Sequence, residues 1–347
     1  MSRAQLTSTV EQNTGGAVAP VVAGKNAVIN GGMDIWQRST ANTSFAVNNS
    51  GSYVTADRWK IGSSASVNLA SSQQAGDNVG NRYALRYGRV SGQTATGVVR
   101  CENIMETVSS IPLAGKTVTL SFYAKKGVDG SFGLTSYIYS ATGTDQSSTY
   151  NGFTGATYTS QSNAVTTTST KYTMTATILS NVTQVAVLFD YASTGTAGAN
   201  EWIQIEGVQL EVGSVATPFS RNAGTIQGEL AACQRYYATS IPDGYTVSTF
   251  PINAQGQSGC AFYNNTGNDL WGNLMFPVRM RTAPTLTLYS QSNRTAGSLR
   301  DANTGSDVAM GTYAPTAGNG SNVTYITATG LTTGRFYSGQ WTASAEL

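Results

Sequence analysis

Along this chain, apolar side chains recur at every second position in short runs. Val118, Leu120, Phe122 and Ala124 share one parity of Lys116–Ala124, while Thr117, Thr119, Ser121 and Tyr123 share the other. Tyr172, Met174, Ala176 and Ile178 repeat the pattern, as do Val185, Val187 and Phe189. A period of two marks a strand with one buried face, because successive side chains leave opposite sides of the pleat. In Trp202–Val212 the parity slips: Ile203 and Ile205 fall on one phase, then Val208, Leu210 and Val212 on the other. Gly207 sits at the slip, which predicts a bulge or bend. Segments rich in Thr, Ser, Gly and Asn separate the runs, and the longest, 140–170, carries Tyr150, Phe153 and Tyr158. Many short strands with turn signals between them predict an all-β chain that opens with a jelly-roll β-sandwich.

One stretch has a helical period instead. Ile226, Leu230, Cys233 and Tyr237 fall at i, i+4, i+7 and i+11, with Thr225 placed to cap the first turn and Glu229 within it. Strand signals then return at 245–252, 259–263, 274–280, 285–289, 322–328 and 335–342, whereas 264–273 and 290–321 read as loop tips. The organisation expected is therefore an arm over 1–25, a jelly-roll domain over 26–222, and a helix linker plus smaller β-domain over 223–347. The arm is polar and has no period long enough to fold alone. We read it as an anchoring segment held by a partner.

Composition narrows the chemistry. The 347 residues include 38 glycines and 84 serines plus threonines, and only 11 % are charged, which favours strands and small polar turns over helices. There is no histidine, so schemes that need an imidazole base or ligand are excluded. A net charge of +2 with no basic cluster larger than Lys125-Lys126 gives no footprint for nucleic acid. Three cysteines (Cys101, Cys233, Cys260) without C-x-x-C spacing suit small core residues in a reducing compartment rather than a disulfide framework. Neither a signal peptide nor an apolar run long enough for a membrane span is evident, so no membrane insertion is expected.

From Asn26 onward the sequence resembles a known family. Asn26-Ala-Val-Ile-Asn-Gly-Gly-Met-Asp-Ile-Trp-Gln-Arg38 and Tyr53-Val-Thr-Ala-Asp-Arg-Trp59 are similar to the opening of tailed-bacteriophage tail fibre and minor tail proteins. Val118–Lys125, Ile205–Phe219, Glu229–Tyr237, Phe276–Pro284 and Trp341–Leu347 follow in that family's order. The resemblance implies a first domain like the carbohydrate-binding modules with a galactose-binding-like jelly roll. It also implies a virion protein of the tail or a head appendage, assembled in the host cytoplasm and released by lysis. Such proteins are commonly homotrimers and contact host surface polysaccharide. The arm at 1–25 would then meet other virion proteins.

Against that frame three chemistries compete. Sugars offer apolar C–H faces to aromatic rings and hydroxyls to polar side chains. Tyr137, Tyr139, Tyr150, Phe153 and Tyr158 are the candidates for glycan binding, with packing under loops or against another subunit as the alternative. Jelly-roll modules of the resembled type often hold a structural Ca²⁺. Asp34 and Glu206 occupy the matching positions, although Gly32 and Gly207 stand where such modules often carry an acid. Hydrolysis would need two carboxylates held across a cleft. Asp34, Asp57, Glu201 and Glu206 lie near aromatic residues, but nothing in the sequence pairs them, and a non-enzymatic role is expected. A purely structural decoration or connector role in the virion, without glycan binding, is the alternative, ahead of a polysaccharide-degrading one. Trp36 and Trp59 are read as packing residues, and Arg38 with Asp57 as a structural ion pair.

Overall fold

In a computed structural model of the chain, the residues described are 24–47, 51–78, 80–147, 149, 152–242, 244–252, 259–311, 313–318 and 322–347. The anchoring arm expected over 1–25 and the candidate Tyr150 lie almost wholly and wholly, respectively, outside them.

The period-two runs become the strands of a sandwich. They are β1 (Ala41–Val47), β2 (Lys60–Ser63), β3 (Val67–Ala75), β4 (Tyr83–Arg89), β5 (Val98–Ile104), β6 (Thr117–Lys126), β7 (Leu134–Ala141), β8 (Thr157–Asn163), β9 (Thr170–Thr177), β10 (Gln184–Ala192) and β11 (Trp202–Val212). One sheet has the order β1-β3-β4-β11-β6-β9, the other β2-β5-β10-β7-β8, and their pairings are antiparallel. The all-β jelly-roll expectation is met. Val118, Leu120, Phe122 and Ala124 face Val185, Val187, Phe189 and Ile138 across the core, around the wholly buried Trp59. Phe122 and Phe189 meet edge to face at 4.7 Å, a favoured ring geometry. Gly207 has φ +58° and marks a break in the β11–β6 register between Glu206 and Gln209, the bulge that the parity slip foretold. The outer residues Thr119 and Ser121 are also buried. Thr119 Oγ1 donates to the carbonyl of Gly213, at the turn leaving β11.

Thr225 accepts from Gly228 N at 3.1 Å and caps helix α1 (Ile226–Gln234). The helix is shorter than its sequence period and turned on its axis. Ile226 is exposed, Glu229 and Cys233 are buried, and Tyr237 begins a strand. Glu229 goes inward because its carboxylate has donors there, accepting from the backbone N–H groups of Asn30 and Ala223.

The second unit is a single sheet of β12 (Tyr237–Thr239), β13 (Cys260–Thr266), β14 (Asp269–Met275), β15 (Thr285–Ser290), β16 (Ser298–Asp301), β17 (Asp307–Ala309), β18 (Tyr313–Gly318), β19 (Asn322–Ala328) and β20 (Phe336–Ser344). Four expectations need correction, the first being the strand over 274–280, since β14 ends at Met275 and 276–280 lie beyond it. Residues 245–252 form turns where described, because Phe250 alone of that stretch is fully buried. Residues 264–273 hold the β13–β14 turn and most of β14, and 290–321 contain β16, β17 and β18. Their Asn, Gly and Thr content masked strands that are held by neighbours on the sheet rather than by local preference.

The family-like motifs converge at one place, the seam between the two units. Arg58 is buried, stacks on Tyr236 at 3.7 Å, pairs with Glu346 and donates to the carbonyl of Ile104 at 2.7 Å. Arg38 stacks on Tyr237 at 3.7 Å and reaches Glu346 at 2.9 Å and the buried Asp57 at 3.7 Å, so the expected Arg38–Asp57 pair is present and shared. Gln37 donates to both Asp57 and the carbonyl of Tyr237. Arg235 and Tyr236 bind Glu106, and Arg281 bridges Asp145 to the carbonyls of Ala345 and Glu346. Trp36 is half-buried at a cavity of about 400 Å³ between the sandwich and α1.

Candidate functional site

Alternation along β7 sends Ile138 inward and Tyr137 and Tyr139 to the outer face of the five-stranded sheet. Tyr139 is paired directly with Tyr158 on β8, the edge strand. Their ring centroids lie 5.1 Å apart, and Tyr137 stands 5.8 Å from Tyr139 and 5.6 Å from Tyr158. Tyr158 was expected in a loop; it is strand-borne and 59 % exposed, while Tyr137 and Tyr139 are half-buried beside it. The structure thus brings three of the five named aromatics into one patch.

Phe153 has a different position. Its loop turns at Gly152 (φ +75°) and Gly155 (φ +58°), and the ring is buried against Ile104, Ala141 and Ala186. It meets Tyr139 edge-on at 6.4 Å, so it props the patch from beneath and offers no face to solvent. Expecting it to touch a ligand directly was wrong, because its apolar neighbours claim it first.

Polar groups border the rings on the same sheet face. Burial together with the nearby Asp190 charge pushes the Tyr137 hydroxyl pKa up to about 12. Asp190 accepts from Arg100 at 3.3 Å, and Arg100 also donates to Thr149 at 3.1 Å. Thr149 donates in turn to the buried Glu102, whose carboxyl is raised by burial, and Lys60 beyond it is lowered by burial. A tyrosine platform beside a carboxylate–guanidinium pair can stack a sugar ring and bind its hydroxyls. Its acids are already engaged by Arg100 and Thr149, which suits binding better than proton transfer.

The carboxylates named for other roles are spent elsewhere. Asp34 accepts from Arg221 Nε at 2.7 Å, and Gly32 lies so close that an added Cβ would come within 2.7 Å of Asp34 Oδ2. Glu206 accepts from the backbone of Asp77 at 3.0 Å, from Asn78 and from Ser169, while burial raises its pKa. The two share no partner, and among the described residues no group of three or more Asp, Glu, Cys or His side chains gathers for a metal. A calcium held between Asp34 and Glu206 is not what this geometry offers. Glu201 is locked to Arg89 by two bonds of 2.6 Å, and Arg89 spends its other N–H groups on carbonyls of Gln93, Ala95, Thr194 and Gly195. Next to that pair, Arg86 stacks on Trp202 at 3.8 Å in a cleft of about 270 Å³, which sequence reading missed. An alternating strand carrying Arg86 and Gly88 opposite Trp202 was its only signal. The three cysteines are buried thiols. No helix among the described residues is long and apolar enough to cross a membrane.

No family model matches the chain, and no curated protein matches it. Among solved structures it is similar to the enzymatically active domain of Bacteriophage CBA120 tailspike protein 4, at 14 % identity and TM-score 0.35 over 54 % of this chain. That alignment spans only 21 % of the tailspike chain. It is also similar to the CBM22-1 xylan-binding domain from Paenibacillus barcinonensis, at 11 % identity and TM-score 0.29 over 51 % of this chain and 99 % of that one. A family 11 carbohydrate-binding module from Clostridium thermocellum, solved with a mixed-linked tetrasaccharide, gives 9 % identity and TM-score 0.30 over 52 % and 99 % of the two chains.

Proposed function

We propose that this chain is a non-catalytic glycan-binding protein of a phage particle, in which Tyr137, Tyr139 and Tyr158 contact host surface polysaccharide. The observation that carries the reading is the convergence of these three rings on one sheet face, next to the Asp190–Arg100 pair, with Tyr158 largely open to solvent. Stacking on an aromatic face supplies part of the affinity and the bordering polar groups supply orientation. The virion setting rests on the sequence resemblance over 26–347. There the arm over 1–25 joins other virion proteins, and the chain repeats as a homotrimer whose weak single sites act by avidity.

The test is binding of the purified chain to immobilised lipopolysaccharide and capsular polysaccharide from candidate hosts, wild type against Tyr158→Ala and Tyr137→Ala. Each substitution is expected to weaken binding about tenfold, equivalent to about 1.4 kcal/mol, with circular dichroism unchanged. Undiminished binding by both variants would refute the assignment. Release of new reducing ends from either polysaccharide would replace it with a hydrolytic one.

A further inference from the structure

The second unit carries a feature that the tyrosine patch does not absorb. Phe336 of β20 pairs with Tyr263 of β13, Tyr263 with Trp271 of β14, and Trp271 with Tyr325 of β19. Directly paired residues of antiparallel strands point to the same side, so four aromatics form an unbroken row across four neighbouring strands. Their chain neighbours Tyr337, Phe262, Leu270 and Ile326 fill the core from the opposite face. The Tyr263 and Phe336 ring centroids are 4.9 Å apart, as are those of Trp271 and Tyr325. Phe336 is 58 % exposed, Trp271 52 % and Tyr263 37 %, and Met275 farther along β14 is 68 % exposed. So much exposed aromatic surface in one line marks a contact site.

We infer that this row is a second glycan platform, separate from the tyrosine patch, which takes an unbranched oligosaccharide laid across the strands. Three observations favour that occupant. The row is narrow and long: three strand spacings of about 4.8 Å make roughly 14 Å, the reach of a short run of pyranose rings. Its four exposed side chains present only about 400 Å² at roughly 200 Å² for each full side chain, about half of the ~800 Å² that each partner gives to a stable protein interface. The flanking positions Ala261, Ser338 and Thr327 are small or hydroxylated, leaving the ring faces uncrowded and hydroxyls beside them. The platform is also fixed in advance. Tyr325 donates to Asp269 at 2.5 Å, Thr327 donates to Tyr325 at 3.2 Å, and Asp269 accepts from Thr266 at 2.8 Å. Preorganised rings lose little entropy when a ligand settles on them.

Titration calorimetry of the full chain with cellohexaose, chitohexaose and maltohexaose tests this directly. At least one is expected to bind, to weaken tenfold or more in Trp271→Ala and in Phe336→Ala, and to be largely retained by Trp271→Phe. In a Tyr137→Ala/Tyr158→Ala background, which removes the tyrosine patch, the binding that remains is expected to weaken tenfold or more on adding Trp271→Ala, so the two platforms fail or hold independently. Binding of none of the three, or binding indifferent to Trp271→Ala in a folded variant, overturns the inference. Self-association in sedimentation that Trp271→Ala abolishes, without sugar binding, assigns the row to a second copy of the chain instead.

Discussion

Glu346 is one carboxylate serving two arginines, Arg58 and Arg38, at the seam between the sandwich and the second sheet. Replacing it with Ala leaves Arg38 with Asp57 and the Tyr237 ring, and with some access to water. Arg58 is worse placed. It is buried, its Nε has no hydrogen-bond partner, and it would retain the Ile104 carbonyl and the Tyr236 and Tyr53 rings but no carboxylate partner among the described residues. A buried charge stripped of its counter-ion costs about 3–5 kcal/mol, and Glu346→Ala is expected to lose that amount in urea unfolding. The charge itself is the cause, so Arg58→Met/Glu346→Leu should recover most of the loss, giving a large coupling in the double-mutant cycle. Fluorescence of Trp59 in the first core and Trp341 in the second, each isolated by replacing the other tryptophans with Phe, reports whether both units lose stability together. A loss below about 1 kcal/mol in Glu346→Ala, or a double variant no better than the single, would show that Arg58 does not depend on this carboxylate.

Asp57 is buried and its pKa rises from 3.8 to about 6 despite Arg38, with desolvation the largest cause. The folded state therefore holds this proton more tightly than the unfolded chain. The group's contribution is most favourable below pH 3.8 and is lost as pH climbs to about 6, by on the order of 3 kcal/mol. Asp57→Asn should flatten that part of the stability profile, measured as urea midpoints across the window; an unchanged slope would rule out Asp57 as the source. Thr225→Ala removes the cap on α1 and should lower stability by about 1 kcal/mol, read by chemical denaturation, with Thr225→Ser restoring it. Gly207→Ala forces a side chain into φ +58° and brings a Cβ within 2.7 Å of Asn81 Nδ2, so a loss of about 1–3 kcal/mol in melting experiments is expected.

Alternation made the sandwich legible where a strand buries one face: Val118, Leu120, Phe122 and Ala124 announce their side without help from neighbours. Gly207 was readable for a similar reason, since a parity slip has to be absorbed somewhere and glycine accepts a positive φ. The second sheet was read less well. β16 and β17 have only four and three residues, and β14 and β18 are interrupted by Gly, Asn, Pro or Thr, so their pairing partners rather than their own patterns hold them. That is why Trp271 was assigned to a loop tip and the aromatic row went unseen. Of the candidate site, Tyr137 and Tyr139 stand two residues apart, so a strand through them puts both rings on one face. The approach of Tyr158 depends on the β7–β8 register, which no local pattern specifies. Phe153 and Tyr158 looked alike in sequence, and only their surroundings separate a buried prop from an exposed ring.

The charged and tyrosine residues of several of the quoted motifs are occupied with one another at the seam. Asp57-Arg58, Arg38, Arg235-Tyr236-Tyr237, Arg281 and Glu346 are joined at the seam by ion pairs, ring stacking and backbone carbonyls. An apolar seam of equal volume would be as stable or more so, because buried charges repay their desolvation only when every partner is in place. That demand makes the arrangement selective: a shift of one unit against the other by a single side chain would strand Arg58 or Asp57 without its partner. The seam therefore trades stability for one fixed registration of the two units. Under the proposal that each unit's aromatic platform binds glycan, that registration fixes the spacing of the two sites, and two weak sites reinforce each other only when their spacing matches the ligand.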